Sequence, residues 1–297
     1  LAVLPVSSMA AFGSASDPDS SGKYLMDLLG KFANYPEIQD FIRPIIRQSM
    51  DNAAGESAVA FLPSPGIGFS IAVVNQVKSA ASSRAFHAAL EAKINSLPFL
   101  QKAAQKGVAL KMVYRKNVRT VAGQDVDTFQ LEIQSREPIP EQQRAMVEVL
   151  LRLFTANIVY ANGYQLMVFG DTPDRFLQEM IRNSAAPEGG FKTSTAWRKV
   201  NRAYGKYPKN GFFYLSLQGF IREILELAKP FLGAKAGMAE SFNIPGAFYG
   251  YTFSSTGKVE AVFLLEREVV AGIARLASMM MPKHGMDKNP SPDGNDK

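Results

Sequence analysis

The stretch Val108–Ile133, VALKMVYRKNVRTVAGQDVDTFQLEI, decides the fold. It holds three apolar runs rich in β-branched and aromatic residues, which are Val108–Tyr114, Val118–Val121 and Thr128–Ile133. The connections between them are RKN at 115–117 and GQD at 123–125. Such short links suit hairpins, whereas parallel strands need crossovers of a dozen residues or more. The stretch therefore predicts neighbouring antiparallel strands.

Two further patterns extend this prediction over the chain. Ala247–Phe253 and Val259–Leu265 flank a turn with glycine at its end, SSTG at 254–257, which predicts another hairpin. Elsewhere a strand, a polar turn and an amphipathic helix recur, in the pairs Met9–Phe12 with Gly22–Phe32, Phe69–Val77 with Ser79–Ile94, Gln165–Phe169 with Arg175–Ile181, Phe212–Leu217 with Phe220–Leu232, and Val259–Leu265 with Val269–Met281. These units alone would also fit a parallel α/β fold. The hairpins favour an α+β fold, with a mainly antiparallel sheet and packed amphipathic helices.

The same pattern suggests a division of the chain. Residues 1–135 and 161–281 both run through strand, turn and helix, which is consistent with two similar halves from a diverged duplication. Residues 136–160 contain the apolar stripe of a helix, Glu141–Thr155, and are predicted as a connecting helix. Residues 282–297 are polar and rich in Pro, Asp, Asn and Lys, and are predicted as a disordered tail.

Composition excludes several kinds of chemistry. The 297 residues are 46% hydrophobic and 20% charged, which is ordinary for a globular protein. There is no cysteine, so thiolate nucleophiles, disulfides, cysteine-bound zinc and iron–sulfur clusters are excluded. The two histidines, His87 and His284, are too few for a three-histidine zinc site. No cofactor is predicted, and no stretch reaches the ~18 apolar residues of a membrane span.

The first residues allow two interpretations. Leu1–Ala15 has small residues at its end, as the remnant of a secretion signal would, but it lacks a basic leader, and Pro5 interrupts its apolar part. A first strand is therefore favoured. Leu4-Pro5 before a short strand, and Asp17-Pro18-Asp19 before a helix, resemble the opening of an uncharacterised bacterial family of extracytoplasmic proteins. Later segments are similar to strands of that family, namely Glu56–Leu62, Phe69–Val77 and Gly211–Leu217.

The resemblance covers residues 1 to 281 and implies an exported or lipid-anchored bacterial protein. We therefore expect a periplasmic or secreted location, with a cytoplasmic one as the alternative. The family has no established functional residues to transfer, so it says nothing of a site.

One motif set points to an enzyme. Ser20-Ser21-Gly22-Lys23, Tyr160-Ala161-Asn162 and Lys192-Thr193-Ser194 are similar to the three motifs of penicillin-recognising serine enzymes. The third motif lacks its glycine and precedes a predicted helix rather than lying in a strand. Short patterns of this kind arise by chance, and an exposed helix N-terminus explains Ser20 and Lys23 as well. We keep a serine hydrolase as an alternative and expect no enzyme.

Basic residues supply the candidate binding sites. The net charge is +6, and two stretches carry much of the positive charge. With unbroken alternation, Lys111, Arg115 and Arg119 share one strand face, and Arg198 and Arg202 lie one helical turn apart. Anionic lipid head groups or glycans would suit these residues, whereas nucleic acid is disfavoured because no nucleic-acid-binding module is recognisable. A solvated surface balanced by acids is the alternative.

Because the sequence has no cysteine, only two histidines and no complete catalytic motif, it predicts a non-catalytic binding or scaffold protein. A carrier of a lipid-like ligand and a protein-binding surface are both compatible with its twenty Phe and twelve Met residues. An apolar cavity of several hundred Å³ would favour a carrier of a lipid-like ligand. A solid core with an exposed apolar patch would favour a protein-binding surface.

Overall fold

The computed structural model of the chain describes residues 2–15, 36–64, 68–105, 107–135, 138, 140–186, 188–204, 211–223, 246–255 and 258–280. The strands are β1 (Ala10–Ala15), β2 (Ala53–Ser64), β3 (Gly68–Val77), β4 (Val108–Val121), β5 (Gln124–Ser135), β6 (Ala156–Ala161), β7 (Tyr164–Phe169), β8 (Gly211–Ser216), β9 (Ala247–Ser255) and β10 (Lys258–Leu265). The helices are α1 (Pro36–Asn52), α2 (Ala80–Asn95), α3 (Pro98–Gln105), α4 (Glu141–Leu153), α5 (Pro173–Ser184), α6 (Thr195–Tyr204) and α7 (Arg267–Met280), with a 3-10 turn at Gly190–Thr193 and a helical segment at 217–223.

All ten strands form one sheet, in the order β10-β9-β8-β1-β2-β3-β7-β6-β5-β4. Every neighbouring pair is antiparallel, so the predicted α+β fold with an antiparallel sheet is confirmed. Strands from the two predicted halves are interleaved in the sheet, because β8 pairs with β1 and β7 with β3, and β6 of the predicted connecting segment pairs with β5. Residues 1–135 and 161–281 thus do not form separate sheets.

The decisive hairpin differs from the prediction at one of its two turns. The predicted turn at 115–117 is a bulge inside one long strand, β4, whose register against β5 shifts between Arg115 and Arg119. Asn117 adopts a left-handed backbone, with φ of 51°, and its N–H donates to Oδ1 of Asp127 at 2.9 Å. The only reversal of direction in this hairpin lies at Ala122-Gly123.

The predicted connecting helix over 136–160 is too long. Helix α4 ends at Leu153, and the chain then enters strand β6, Ala156–Ala161. The β-branched Ile158 and Val159 are both fully buried in the sheet, which explains the change to extended backbone. The helix predicted at Gly22–Phe32, most of that at Phe220–Leu232 and the tail at 282–297 lie outside the described residues.

One face of the sheet carries the main core. Across the sheet, register places Val159, Leu166, Val74, Ala58 and Phe212 side by side on this face. Helix α5 covers the row with three fully buried side chains, Phe176, Leu177 and Met180. The N-terminal segment lies here too, since the carbonyl of Leu4 accepts from the N–H of Phe191 at 2.8 Å. We call this side the core face.

The opposite face is covered unevenly by the described helices. Helices α2 and α3 pack at the β4 end, where His87 of α2 contacts the rings of Tyr114 and Phe129. On strands β1 and β10 of the same face, large apolar side chains remain exposed to solvent. The candidate functional site lies on this less covered part of the face.

The packing of α5 predicts a large effect of truncation. Phe176 is 1% exposed, so Phe176→Ala should lower the free energy of unfolding by about 3–5 kcal/mol through lost burial and the cavity left behind. Phe154→Ala, at a ring that is 54% exposed, is the matched control and should cost less than about 1 kcal/mol. Urea unfolding followed by circular dichroism measures both. Equal effects of the two substitutions would contradict the described core.

Candidate functional site

A chain of six phenylalanine rings crosses the face of the sheet opposite the core, where Phe61 also contacts Phe220 of the helical segment at 217–223, with 6.0 Å between ring centroids. The rings come from six consecutive strands, β3, β2, β1, β8, β9 and β10, and are Phe69, Phe61, Phe12, Phe213, Phe248 and Phe263. Successive ring centroids lie 5.6, 6.4, 4.8, 5.1 and 5.8 Å apart. These separations are typical of aromatic pairs in contact. We call these six residues the aromatic ladder.

The aromatic ladder is partly open to solvent. Phe12 is 39% exposed and Phe263 is 64% exposed, and the neighbouring Leu265 is 48% exposed. All three side chains lie on the face opposite the core, because residues two apart on a strand, and residues paired across strands, share a side of the sheet. A contiguous exposed apolar surface of this kind marks a site of interaction more often than isolated exposed residues do.

An apolar groove of about 370 Å³ lies along the ladder. Its walls include Phe12, Phe213 and Phe263, and three glycines, Gly13, Gly211 and Gly250, contribute backbone to its lining. Gly250 has a specific role, because a Cβ there would lie 2.9 Å from Cδ1 of Phe263. The glycine therefore lets the Phe263 ring lie directly against the strand. We call this space the aromatic groove.

A row of polar residues borders the ladder on the same face. Strand register places side by side, from β6 to β9, Tyr160, Gln165, Asn75, Ser57, Ser14, Gly211 and Thr252. A second cavity, of about 320 Å³, lies over part of this row and is lined by Asn52, Asn75, Gln76, Gln165 and Phe86, among others. It shares Ser14 and Ser57 with the aromatic groove. We call this cavity the polar pocket.

A buried charged cluster lies beneath α2, further toward β4. Asp127 is fully buried and accepts from Nε of Arg84 at 2.8 Å and from the hydroxyl of Tyr114 at 2.6 Å. The Arg84 guanidinium also lies 5.2 Å from the centre of the Tyr160 ring. Burial, first, and the hydrogen bond to Asp127 raise the pKa of Tyr114, so this phenol stays protonated. The groups satisfy one another, which gives them a structural role.

His87 lies between this cluster and the polar row. It is 6% exposed, and its ring nitrogens lie 3.3 Å from the hydroxyl of Tyr160 and 3.4 Å from Nε2 of Gln165. Burial lowers the pKa of His87 to about 4 and raises that of Tyr160 to about 12. Both side chains are therefore neutral near pH 7. His87 lines neither the aromatic groove nor the polar pocket.

The predicted basic strand face does form, but acids neutralise much of it. Lys111, Arg115 and Arg119 lie on the core-face side of β4, since the bulge adds an even number of residues and preserves their common side. Arg115 is paired with Glu132. Arg119 bonds Asp174 and donates to Oδ1 of Asn157 at 2.8 Å. These pairings, which link residues distant in sequence, were not predictable from the stretch itself.

The second basic pair lies elsewhere. Arg198 and Arg202 are exposed on α6, whose Trp197 packs on Phe212 of β8 at 5.1 Å between ring centroids. Strands β8 and β4 are seven positions apart in the sheet, a distance of roughly 30 Å. The two basic stretches therefore form separate surfaces. Their role in binding an anionic ligand stays a prediction.

The motifs of the serine-enzyme alternative are only partly within the described residues. Ser20 and Lys23 lie outside them. Lys192 and Thr193 belong to the 3-10 turn at Gly190–Thr193 rather than to a strand, unlike the third motif of those enzymes. Tyr160 points to His87 and Gln165. In the described part of the chain, no group of three or more His, Asp or Glu side chains is arranged to hold a metal ion.

Comparisons with known proteins add little to this geometry. No protein-family model and no curated protein matches the chain. Two solved structures, crystal forms III and I of TP0453, match with TM-scores of 0.37 and 0.34 and 11% identity, over 93% and 94% of this chain and 85% of that chain. A likeness at this level carries no argument about function. None of the helices within the described ranges is long and apolar enough to cross a membrane.

The Asp127 cluster predicts strong destabilisation when its charge is removed. Asp127→Asn leaves the Arg84 charge without its buried partner and should lower the free energy of unfolding by about 3–5 kcal/mol. Glu132→Gln breaks the exposed pair with Arg115, which solvent screens, and should change the free energy of unfolding far less. Denaturant unfolding of both variants tests this. An Asp127→Asn protein as stable as Glu132→Gln would contradict a structural role for the cluster.

The lowered pKa of the buried His87 predicts that the stability of the fold depends on pH. Its pKa is about 4 when folded and about 6.5 when unfolded, so between these values protons bind the unfolded chain preferentially. The stabilising contribution of neutral His87 is present above about pH 6.5 and is lost as the pH falls toward about 4. The stability advantage of the native chain over His87→Gln should therefore shrink by about 2–3 kcal/mol between about pH 7.5 and about pH 4.5. An advantage independent of pH would contradict the burial of His87.

Proposed function

We propose that this chain is a non-catalytic binding protein that takes an apolar, lipid-like ligand in the aromatic groove. The observation that carries the proposal is the apolar groove along the aromatic ladder, which is lined by Phe12, Phe213 and Phe263 and in which the Phe12 and Phe263 rings are exposed. The groove volume of about 370 Å³ falls within the usual size of small-molecule sites. An open apolar groove of this size can take a flexible hydrocarbon chain laid along the surface.

Energetics support a ligand for this face. Each Å² of apolar surface removed from water contributes about 25 cal/mol, so covering rings as exposed as Phe12 and Phe263 is favourable. Little side-chain ordering is needed, because each ring already contacts its neighbours in the ladder. The site is thus largely formed before binding.

The proposal also includes that the chain catalyses no reaction at this site. The buried groups His87 and Asp127 are bonded within the protein and line neither cavity. A general base needs hydrogen-bond access to a bound substrate, which neither has in this arrangement. The resemblance to exported bacterial proteins supports a periplasmic or secreted location, where free lipids need a carrier.

A protein partner is the second candidate. Strand β10 is an edge of the sheet, and Phe263 and Leu265 on it are exposed. Edge strands with exposed apolar residues can pair with an added strand of another chain. This alternative would leave the middle of the ladder, around Phe12, uncovered.

The proposal predicts saturable binding of a small apolar probe. N-phenyl-1-naphthylamine, which fluoresces more strongly in apolar surroundings, should bind the full-length chain at one site. Phe12→Ser should weaken this binding about tenfold, since it removes a ring from the groove wall. Phe154→Ser, at an exposed ring outside the groove, is the matched control and should leave binding unchanged.

Fluorescence titration measures the dissociation constants of the native chain and both variants. Absence of saturable binding would overturn the proposal. So would an equal loss of affinity in the Phe12 and Phe154 variants. Binding unaffected by both Phe12→Ser and Phe263→Ser would place the probe outside the groove and would also overturn the proposal.

A further inference from the structure

The aromatic groove and the polar pocket form one site of two chemistries. Ser14 and Ser57 line both cavities and are paired directly across β1 and β2. Phe12 precedes Ser14 by two residues on the same face, so the apolar and polar rows lie about 7 Å apart. A molecule lying across the rows would contact rings at one end and polar side chains at the other. This inference rests on the proposed function.

The polar pocket is built from amides and hydroxyls. Asn75 donates to Oε1 of Gln165 at 3.3 Å, and the hydroxyls of Ser14 and Ser57 lie 3.4 Å apart. These bonds are longer than typical, and such side chains carry both donors and acceptors, so they can also bond a ligand. Gln165 is 6% exposed, which places a buried polar group at the pocket wall.

The polar pocket offers no cation to an anionic head group. Among the described residues that line it, the only ionisable one is Glu56, whose side chain the register places on the core face rather than on the face of Ser57. A carboxylate or phosphate in the pocket would lose water without gaining a cation. A hydroxyl-bearing head group would lose little, because each hydroxyl donates and accepts as the pocket side chains do.

We propose that the ligand is a single-chain amphiphile with an uncharged, hydroxyl-bearing head group, such as a monoacylglycerol. Its hydrocarbon chain lies along the aromatic groove, and its head group bonds the side chains of the polar pocket. Ser14 and Ser57 mark the junction between chain and head.

Competition against bound N-phenyl-1-naphthylamine tests the head-group preference. Monolauroylglycerol, laurate and dodecylphosphocholine carry the same length of chain on uncharged, anionic and zwitterionic heads. Below their micellar concentrations, monolauroylglycerol should displace the probe from the full-length chain at about tenfold lower concentration than either of the others. Equal displacement by all three would overturn the head-group inference and leave the groove proposal standing.

Two lysine variants, one of them at the exposed Ser14, sharpen the test. Ser14→Lys places a cation at the junction and should improve displacement by laurate several-fold while weakening that by monolauroylglycerol. Val118→Lys, which adds the same charge at an exposed position that lines neither cavity, is the matched control and should retain the order of the native chain. An unchanged order in Ser14→Lys would overturn the placement of the head group, and failure of the probe itself to bind would remove both proposals.

Discussion

The register of the antiparallel sheet is the constraint on which the rest of the structure depends. Side chains alternate between faces along a strand, so a slip of one residue would move every side chain of that strand to the other face. With Phe12 opposite Phe213 and Val59, the rings meet on one side and the core residues on the other. The same register brings Ser14, Ser57 and Asn75 into one row. The groove and its polar border are therefore consequences of strand pairing.

Much of the fold can be predicted from local sequence, because short turns between two apolar runs indicate a hairpin. The hairpins at 108–133 and 247–265 and most of the strands were predictable for this reason. Sheet order was not, since nothing local tells that β7 pairs with β3. Strand β6 was missed because its six residues follow directly on a helix with a strong apolar stripe. The bulge at Asn117 depends on a carboxylate ten residues away.

The candidate site was less predictable than the fold. The polar row joins residues from strands far apart in sequence, so no single stretch of the chain predicts it. The sequence shows that the chain has twenty phenylalanines. Only the strand register shows that six of them lie in contact on one face of the sheet. Gly250 in the sheet was a signal that could have been used, since a glycine inside a strand often marks a close approach of another group. His87 is buried because α2 lies on the sheet, and nothing in its local sequence indicates this.

The basic character of the chain illustrates how burial redistributes charge. A stretch with no acid in sequence suggested an anion-binding face, yet Arg115 and Arg119 bond acids from β5 and α5. Arg84 likewise serves the buried Asp127. Charge that is paired in this way orders the β4 end of the sheet and attracts external anions only weakly. At the opposite end the open face carries rings rather than charges, so recognition there must depend on apolar contact and on the uncharged polar row beside it.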